Sequence, residues 1–207
     1  MKLVVFGSTG GIGAQVVEQA LAAGHTVTAV ARHPSVITFR HEHLEVLQGD
    51  VLVPQSIRGA IAGKDAVVFA VGVRDRAPTT VYSEGVANVI LAMQSAHVCR
   101  LICISASALE PGPLWQRLIA KPILWAMFKE MYSDLVRMEA LVERSPIDWT
   151  ILRSPALKNG PRTGQYQVAL NKHLRRILFI SRADTADFII NHLSDPATHH
   201  ARVEIAY

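Results

Sequence analysis

The strongest constraint on this chain lies at its start. A short β-type run, Lys2 to Phe6, leads directly into Gly7-Ser8-Thr9-Gly10-Gly11-Ile12-Gly13, after which apolar residues recur at helical spacing (Ile12, Val16, Val17, Ala20, Leu21). Strand, glycine turn and helix in that order make the first half of a βαβ unit, and the alternation continues. Strands are expected at His25–Ala31, Leu44–Leu47, Asp65–Val71, Cys99–Ser105 and Trp149–Leu152, with helices at Gln55–Ala62 and Thr80–Ala96. Near-continuous apolar strands between such helices predict a Rossmann-type α/β fold, a doubly wound parallel sheet covered on both faces. Pro111–Ser145 reads as mostly helical, with Pro122 starting or kinking a helix. Lys158–Arg176, rich in Gly, Pro and basic residues, reads as a loop excursion, Ala183–Leu193 as a final helix and Val203–Ala206 as a last edge strand.

Length suggests one domain over residues 1–207, with the part after about residue 106 building the substrate side of the crevice. Half of the residues are hydrophobic and only 18% are charged, which excludes a disordered chain. Net charge is +4 and spread out, which speaks for an anionic ligand and not for nucleic acid. Cys99 and Cys103 lie four apart on one expected strand, roughly 13 Å from each other. That exceeds the about 7 Å a disulfide can span, so reduced core thiols are expected. Only four apolar residues separate Lys2 from Gly7, too few for a secretory h-region, and the apolar stretch Leu114–Met131 is broken by Arg117, Lys121 and Pro122. The expectation is a cytoplasmic protein without a membrane span, monomer or homodimer.

The glycine loop is the leading candidate site. In this context Gly7 permits the turn, Gly10 and Gly11 let backbone approach a pyrophosphate, and Gly13 permits close packing of helix on strand. The free amides of Ser8, Thr9 and Ile12 complete the expected phosphate cradle. The residue ending the second strand selects the cofactor. It is Arg32, followed by His33, with no acid until Glu42, and a guanidinium suits the 2′-phosphate of NADP where an acid would repel it. Asp50, with Val51, either accepts a hydrogen bond from adenine or is an ordinary loop aspartate. Val71-Gly72-Val73 ends the fourth strand, where backbone can pass close to the adenosine ribose.

Several stretches resemble the atypical short-chain dehydrogenase/reductases, the NAD(P)H-binding, NmrA-like branch, and most closely the biliverdin-IXβ reductase/flavin reductase proteins. The resemblance is carried by Gly7–Gly13, Gly49-Asp50-Val51, Pro78-Thr79-Thr80-Val81-Tyr82-Ser83-Glu84-Gly85 with Asn88, Met138-Glu139, Asp148–Arg153, Thr163-Gly164-Gln165-Tyr166 and Ser181-Arg182-Ala183-Asp184. It implies an NADPH-dependent reductase of flavins, bilins or quinones, with any flavin acting as substrate. The nicotinamide would lie beside Ser105, Ala106 and Ser107 on one strand and Arg153, Ser154 and Pro155 on the next. Two departures stand out. The superfamily's Tyr-x-x-x-Lys acid is missing, since Tyr82, Tyr132 and Tyr166 are followed four residues on by Val86, Val136 and Leu170. Ala106 and Ala156 also stand where the biliverdin/flavin reductases have a serine and a histidine.

A ketone substrate needs a proton donor for the developing alkoxide, whereas a conjugated acceptor delocalises charge and takes its proton from solvent. Hydride transfer to a planar conjugated acceptor therefore needs no obligatory side-chain acid. Ser105, Ser107 and Tyr132 are the candidate catalytic groups, and Trp115, Trp125, Phe128, Tyr132 and Tyr166 the candidate substrate wall. The alternative is a non-catalytic NADP(H)-binding redox sensor or assembly factor. The basic stretch Lys172-His173-Leu174-Arg175-Arg176, with Lys158 and Arg162, either attracts an anionic substrate or is a solvated loop. Arg182-Ala183-Asp184 reads as an ion pair or a helix start. The pairs His41/His43 and His199/His200 lack a third ligand at zinc spacing, so no metal is expected.

Overall fold

A computed structural model describes residues 1–73, 77–109, 121–174 and 178–207, with the side chains of 121–125 excepted. Among the described residues ten strands and five helices follow in order: β1 Lys2–Phe6, α1 Gly11–Ala22, β2 Thr26–Ala31, β3 Leu44–Gln48, α2 Pro54–Ile61, β4 Ala66–Phe69, α3 Ser83–Ser95 and β5 Arg100–Ala106. They continue with α4 Lys121–Glu143, β6 Asp148–Ser154, β7 Ala156–Lys158, β8 Gln167–Leu170, β9 Phe179–Ser181, α5 Arg182–Asn191 and β10 Ala201–Ala206. The main sheet runs β3-β2-β1-β4-β5-β6-β10-β8, parallel except for the β10–β8 pair, and β7 pairs with β9 in a small second sheet. This is the doubly wound order, in which the chain reverses its winding between β1 and β4 and opens a crevice beyond their C-terminal ends.

Alternate residues on each strand feed two cores. Val4, Phe6, Val67, Phe69, Leu101 and Ile151 face α2, α3 and α4, while Leu3, Val5, Val68, Ile102, Leu152 and Val203 face α1 and α5. Each of these side chains is essentially fully buried, worth about 1.5–3 kcal/mol apiece. The Rossmann-type expectation holds.

Two expectations change, at β8 and at Cys99, and two readings left open, at Pro122 and at Arg182-Ala183-Asp184, are both decided for a helix start. β8 lies within the expected loop excursion and pairs antiparallel with β10, so β10 is an inner strand and not the edge. The break in α4 falls at Phe128 (φ −128°, ψ 25°); Pro122 occupies the first turn, where a missing N–H costs nothing. Cys99 is exposed, and only Cys103 is a core thiol, pushed up in pKa by burial. Ser181 caps α5 by accepting from the Asp184 N–H at 2.9 Å, so Arg182-Ala183-Asp184 is a helix start without an internal ion pair. Among the described residues no helix is long and apolar enough to cross a membrane.

Candidate functional site

The glycine loop is built backbone on backbone. Gly7 has φ +78°, and a Cβ there would sit 2.3 Å from the Ala70 carbonyl oxygen at the end of β4. A Cβ on Gly13 would lie 2.2 Å from the Gly7 carbonyl oxygen, and one on Gly10 3.1 Å from the same atom. Side chains at Gly7 or Gly13 would push the loop off the sheet. Ser8 is buried and its hydroxyl donates to the Val30 carbonyl at 2.8 Å, which ties the loop to β2. Thr9 and Gly11 face solvent, and Ile12 is packed inward.

The start of α1 carries no side-chain cap from Gly10 and no acid of its own in the first turn. The first amides of a helix have no intrahelical acceptor, and its dipole places partial positive charge there. A tight glycine cradle ending in an uncapped helix fits the paired phosphates of a dinucleotide.

At the end of β2, Arg32 and His33 are exposed, and no carboxylate among the described residues pairs with the Arg32 guanidinium. Asp50 is half-buried, and its Oδ1 accepts from the Leu52 N–H at 2.9 Å, holding its own turn. Val51 is buried against the face of Gly85, and its carbonyl accepts from Asn88 at 2.8 Å. Val71 and Val73 flank Gly72, with no atom of the described residues within 4 Å of a Cβ placed there, and the Val73 N–H donates to the Tyr82 hydroxyl at 3.1 Å.

The motif around Ser83 has a structural explanation. The buried Asp134 carboxylate on α4 accepts from the Tyr82 N–H at 2.9 Å and from the Ser83 hydroxyl, capping α3 from a second helix. Asp184 does the same work elsewhere. It accepts from the Thr163 N–H (2.7 Å), the Thr163 hydroxyl (2.7 Å), the Gly164 N–H (2.9 Å) and the Tyr207 hydroxyl. Burial alone would raise its pKa; these donors outweigh burial and hold it below the usual value.

At the C-terminal ends of β5 and β6 the register sets Ser105 opposite Arg153 and Ala106 opposite Ser154. Arg153 is committed inward: Nε donates to Glu139 Oε1 at 3.0 Å and Nη2 to Oε2 at 2.5 Å, both residues being buried. The buried Ser105 hydroxyl sits beside the Glu139 carboxylate, Ser107 and Ser154 are buried, and Pro155 is half-buried. Burial pushes the Glu139 carboxyl up and the Arg153 guanidinium down, the ordinary penalty of taking charge out of water.

The expected substrate residues divide. Phe128 and Tyr132 meet edge-on, centroids 6.0 Å apart, on the α4 side of the sheet, and burial raises the Tyr132 phenol. Tyr166 packs with the other core, against Phe188, and its hydroxyl donates to Asp187 at 2.7 Å. There, with Arg162, it lines a surface cavity of about 550 Å³ and does not join Phe128 and Tyr132. Trp115 and the Trp125 side chain lie outside the described residues, as do Arg175 and Arg176. The rest of the basic stretch does not assemble, since Arg162 pairs with Asp187, His173 with Glu204, and Lys158 lies over the Phe179 ring.

Sequence reasoning missed Asp134 and the pairing of Glu139 with Arg153. Their partners lie 51 and 14 residues away on other elements, and no local spacing connects them.

A doubly wound sheet with a phosphate-ready glycine corner at its switch point defines a nucleotide-binding α/β protein. Residues 7–196 match the NAD(P)H-binding family, and the chain belongs to it. That membership agrees with the NAD(P)H-binding resemblance read from the sequence. The chain is similar to photosystem II assembly factor Ycf39 of Synechocystis sp. (31% identical, over 82% of this chain and 49% of that protein). It is also similar to a chloroplastic protein of Arabidopsis thaliana (27% identical, over 79% of this chain and 61% of that one). It thus spans between 49% and 61% of the length of these two curated relatives. Its fold superposes on ChuY, an anaerobilin reductase from Escherichia coli O157:H7, with TM-score 0.79 at 23% identity, covering 100% of this chain and 97% of that one.

Proposed function

We propose that the chain is an NADPH-dependent reductase that delivers hydride to a planar conjugated acceptor, a flavin, bilin or quinone taken as substrate. One observation carries the reading: an uncapped, acid-free start of α1 stands beside a β2 end where Arg32 is exposed and, among the described residues, unopposed by any carboxylate. The first holds a pyrophosphate through backbone amides, and the second grips a 2′-phosphate by charge-assisted hydrogen bonds. Gly72 leaves room at the end of β4 for the ribose, and Asp50 keeps one carboxylate oxygen for the adenine amino group.

The acceptor class follows from what the residues near β5 and β6 can do. Bound NADPH supplies the hydride. Tyr132 has Val136 and not lysine one turn later, and its phenol is raised by burial, so it is a poor acid. Arg153 is held by Glu139 and the Ser105 hydroxyl is buried beside that carboxylate, so neither is presented to a substrate carbonyl. Phe128, half-buried beside the core residue Tyr132, offers the aromatic face against which a flat ring system packs and loses water. A delocalised acceptor needs little more than that. The likeness in fold to an anaerobilin reductase supports the same class.

A second reading, a nucleotide-binding assembly or sensor protein, is favoured by the similarity to Ycf39 and by an exposed Ala156 in place of the reductases' histidine. Purified protein with NADPH and a panel of FMN, a bilin and a simple quinone separates the two. Steady NADPH oxidation with at least one acceptor supports the reductase. Tight NADPH binding without turnover on any acceptor supports the sensor.

A further inference from the structure

Arg182 has no part in the proposal above, yet its side chain crosses the glycine corner. A Cβ built on Gly11 would lie 2.5 Å from both Cδ and Nε of Arg182, so the absent side chain at Gly11 is the space this arginine occupies. Its backbone is fixed by the Ser181 cap and by Gln19, which donates to the Ala183 carbonyl at 2.8 Å and clamps the start of α5 on α1. Its Nη1 donates to Asn159 Oδ1 at 2.8 Å.

No carboxylate among the described residues forms an ion pair with Arg182. Asp184, in the first turn of the same helix, is engaged by Thr163, Gly164 and Tyr207. A guanidinium is therefore laid across the positive end of α1, where like charge is unfavourable. Folding keeps it there at a cost that a bound dianion removes.

We infer that Arg182 is a dinucleotide-binding residue, its guanidinium closing over the pyrophosphate held by the Gly7–Gly13 loop, with Asn159 holding it in position. This rests on the proposed nucleotide site and adds to it a side-chain cation from the far end of the chain. Arg32 and Arg182 then have separable jobs: the first discriminates NADPH from NADH, and the second contributes equally to both.

The test is isothermal titration of NADP⁺ and NAD⁺ into wild type, Arg182→Gln, Arg182→Lys and Asn159→Ala, with apo melting temperatures in parallel. Arg182→Gln should weaken both nucleotides by about tenfold or more, since a charge-assisted contact is lost. The NADP⁺/NAD⁺ ratio should stay unchanged, Arg182→Lys should recover part of the affinity, and Asn159→Ala should show a smaller loss. The apo melting temperature of Arg182→Gln should hold or rise, because repulsion at α1 is relieved. Affinity equal to wild type in Arg182→Gln overturns this inference alone. So does an apo melting temperature that falls together with affinity, which marks a bracket for the Asn159 loop. A wild-type protein that takes up neither nucleotide overturns the proposed nucleotide site as well.

Discussion

Glu139 on α4 grips Arg153 on β6 at two points inside the protein, Oε1 to Nε at 3.0 Å and Oε2 to Nη2 at 2.5 Å. The pair ties the long helix to the strand whose end borders the crevice, and it turns Nε and Nη2 of Arg153 toward Glu139. Removing one partner leaves a buried charge alone. Glu139→Ala or Arg153→Ala should each cost about 3–5 kcal/mol in urea unfolding, while the double variant Glu139→Leu/Arg153→Met should recover most of that loss. Additive losses in the double variant would contradict this account of the pair.

The hydrogen bonds to Asp184 set a pH dependence. Its folded pKa lies below the ordinary value near 3.8 because the Tyr207, Thr163 and Gly164 donors outweigh burial. The native state thus binds fewer protons than the unfolded chain between those two values. The stabilisation is present above the ordinary value and is lost as pH falls through the lower, folded one. Asp184→Asn should cost about 2 kcal/mol at pH 7, and its deficit against wild type should shrink as pH drops through the acid range. Denaturant unfolding at a series of pH values reads this; a deficit constant with pH would contradict it.

Two glycines should respond with opposite sign. A Cβ on Gly13 would meet the Gly7 carbonyl at 2.2 Å, whereas nothing lies within 4 Å of one on Gly59, inside α2. Gly13→Ala should destabilise by at least about 1–3 kcal/mol and weaken nucleotide binding by displacing the loop. Gly59→Ala should stabilise by about 0.5–1 kcal/mol, since alanine is the better helix former. Thermal and urea unfolding of both variants check the contrast.

What was legible in the sequence is what depends on local pattern. Lys2–Phe6, the Gly11 helix and the strand ending at Ala31 are read within a residue of their bounds, because glycine punctuation and apolar periodicity are local signals. β8 escaped because Gln167, Val168 and Leu170 are exposed at the sheet's new edge and carry no buried face to betray a strand. The burial of Arg153 follows from its pairing with Glu139 on another element, which charge rules along the chain do not reveal, and nothing in the structure explains the break at Phe128. In the candidate site, the glycine corner and Arg32 are readable from order along the chain. Asp134, Glu139 and Arg182 act on partners 51, 14 and 171 positions away, so only the folded topology brings them in.

Arg32→Ala should weaken NADPH by about 10- to 100-fold, the scale of lost hydrogen bonds to a charged group, and leave NADH within about twofold. Paired titrations of wild type and variant measure the ratio directly. An equal loss for both nucleotides would move the arginine's role away from the 2′-phosphate.

The most direct test is calorimetric titration of NADPH and NADH into the purified wild-type protein under matched ionic strength. Saturable 1:1 heat for NADPH, with NADH bound at least about tenfold more weakly, is the predicted result. No heat with NADPH, or tighter binding of NADH, would contradict the account.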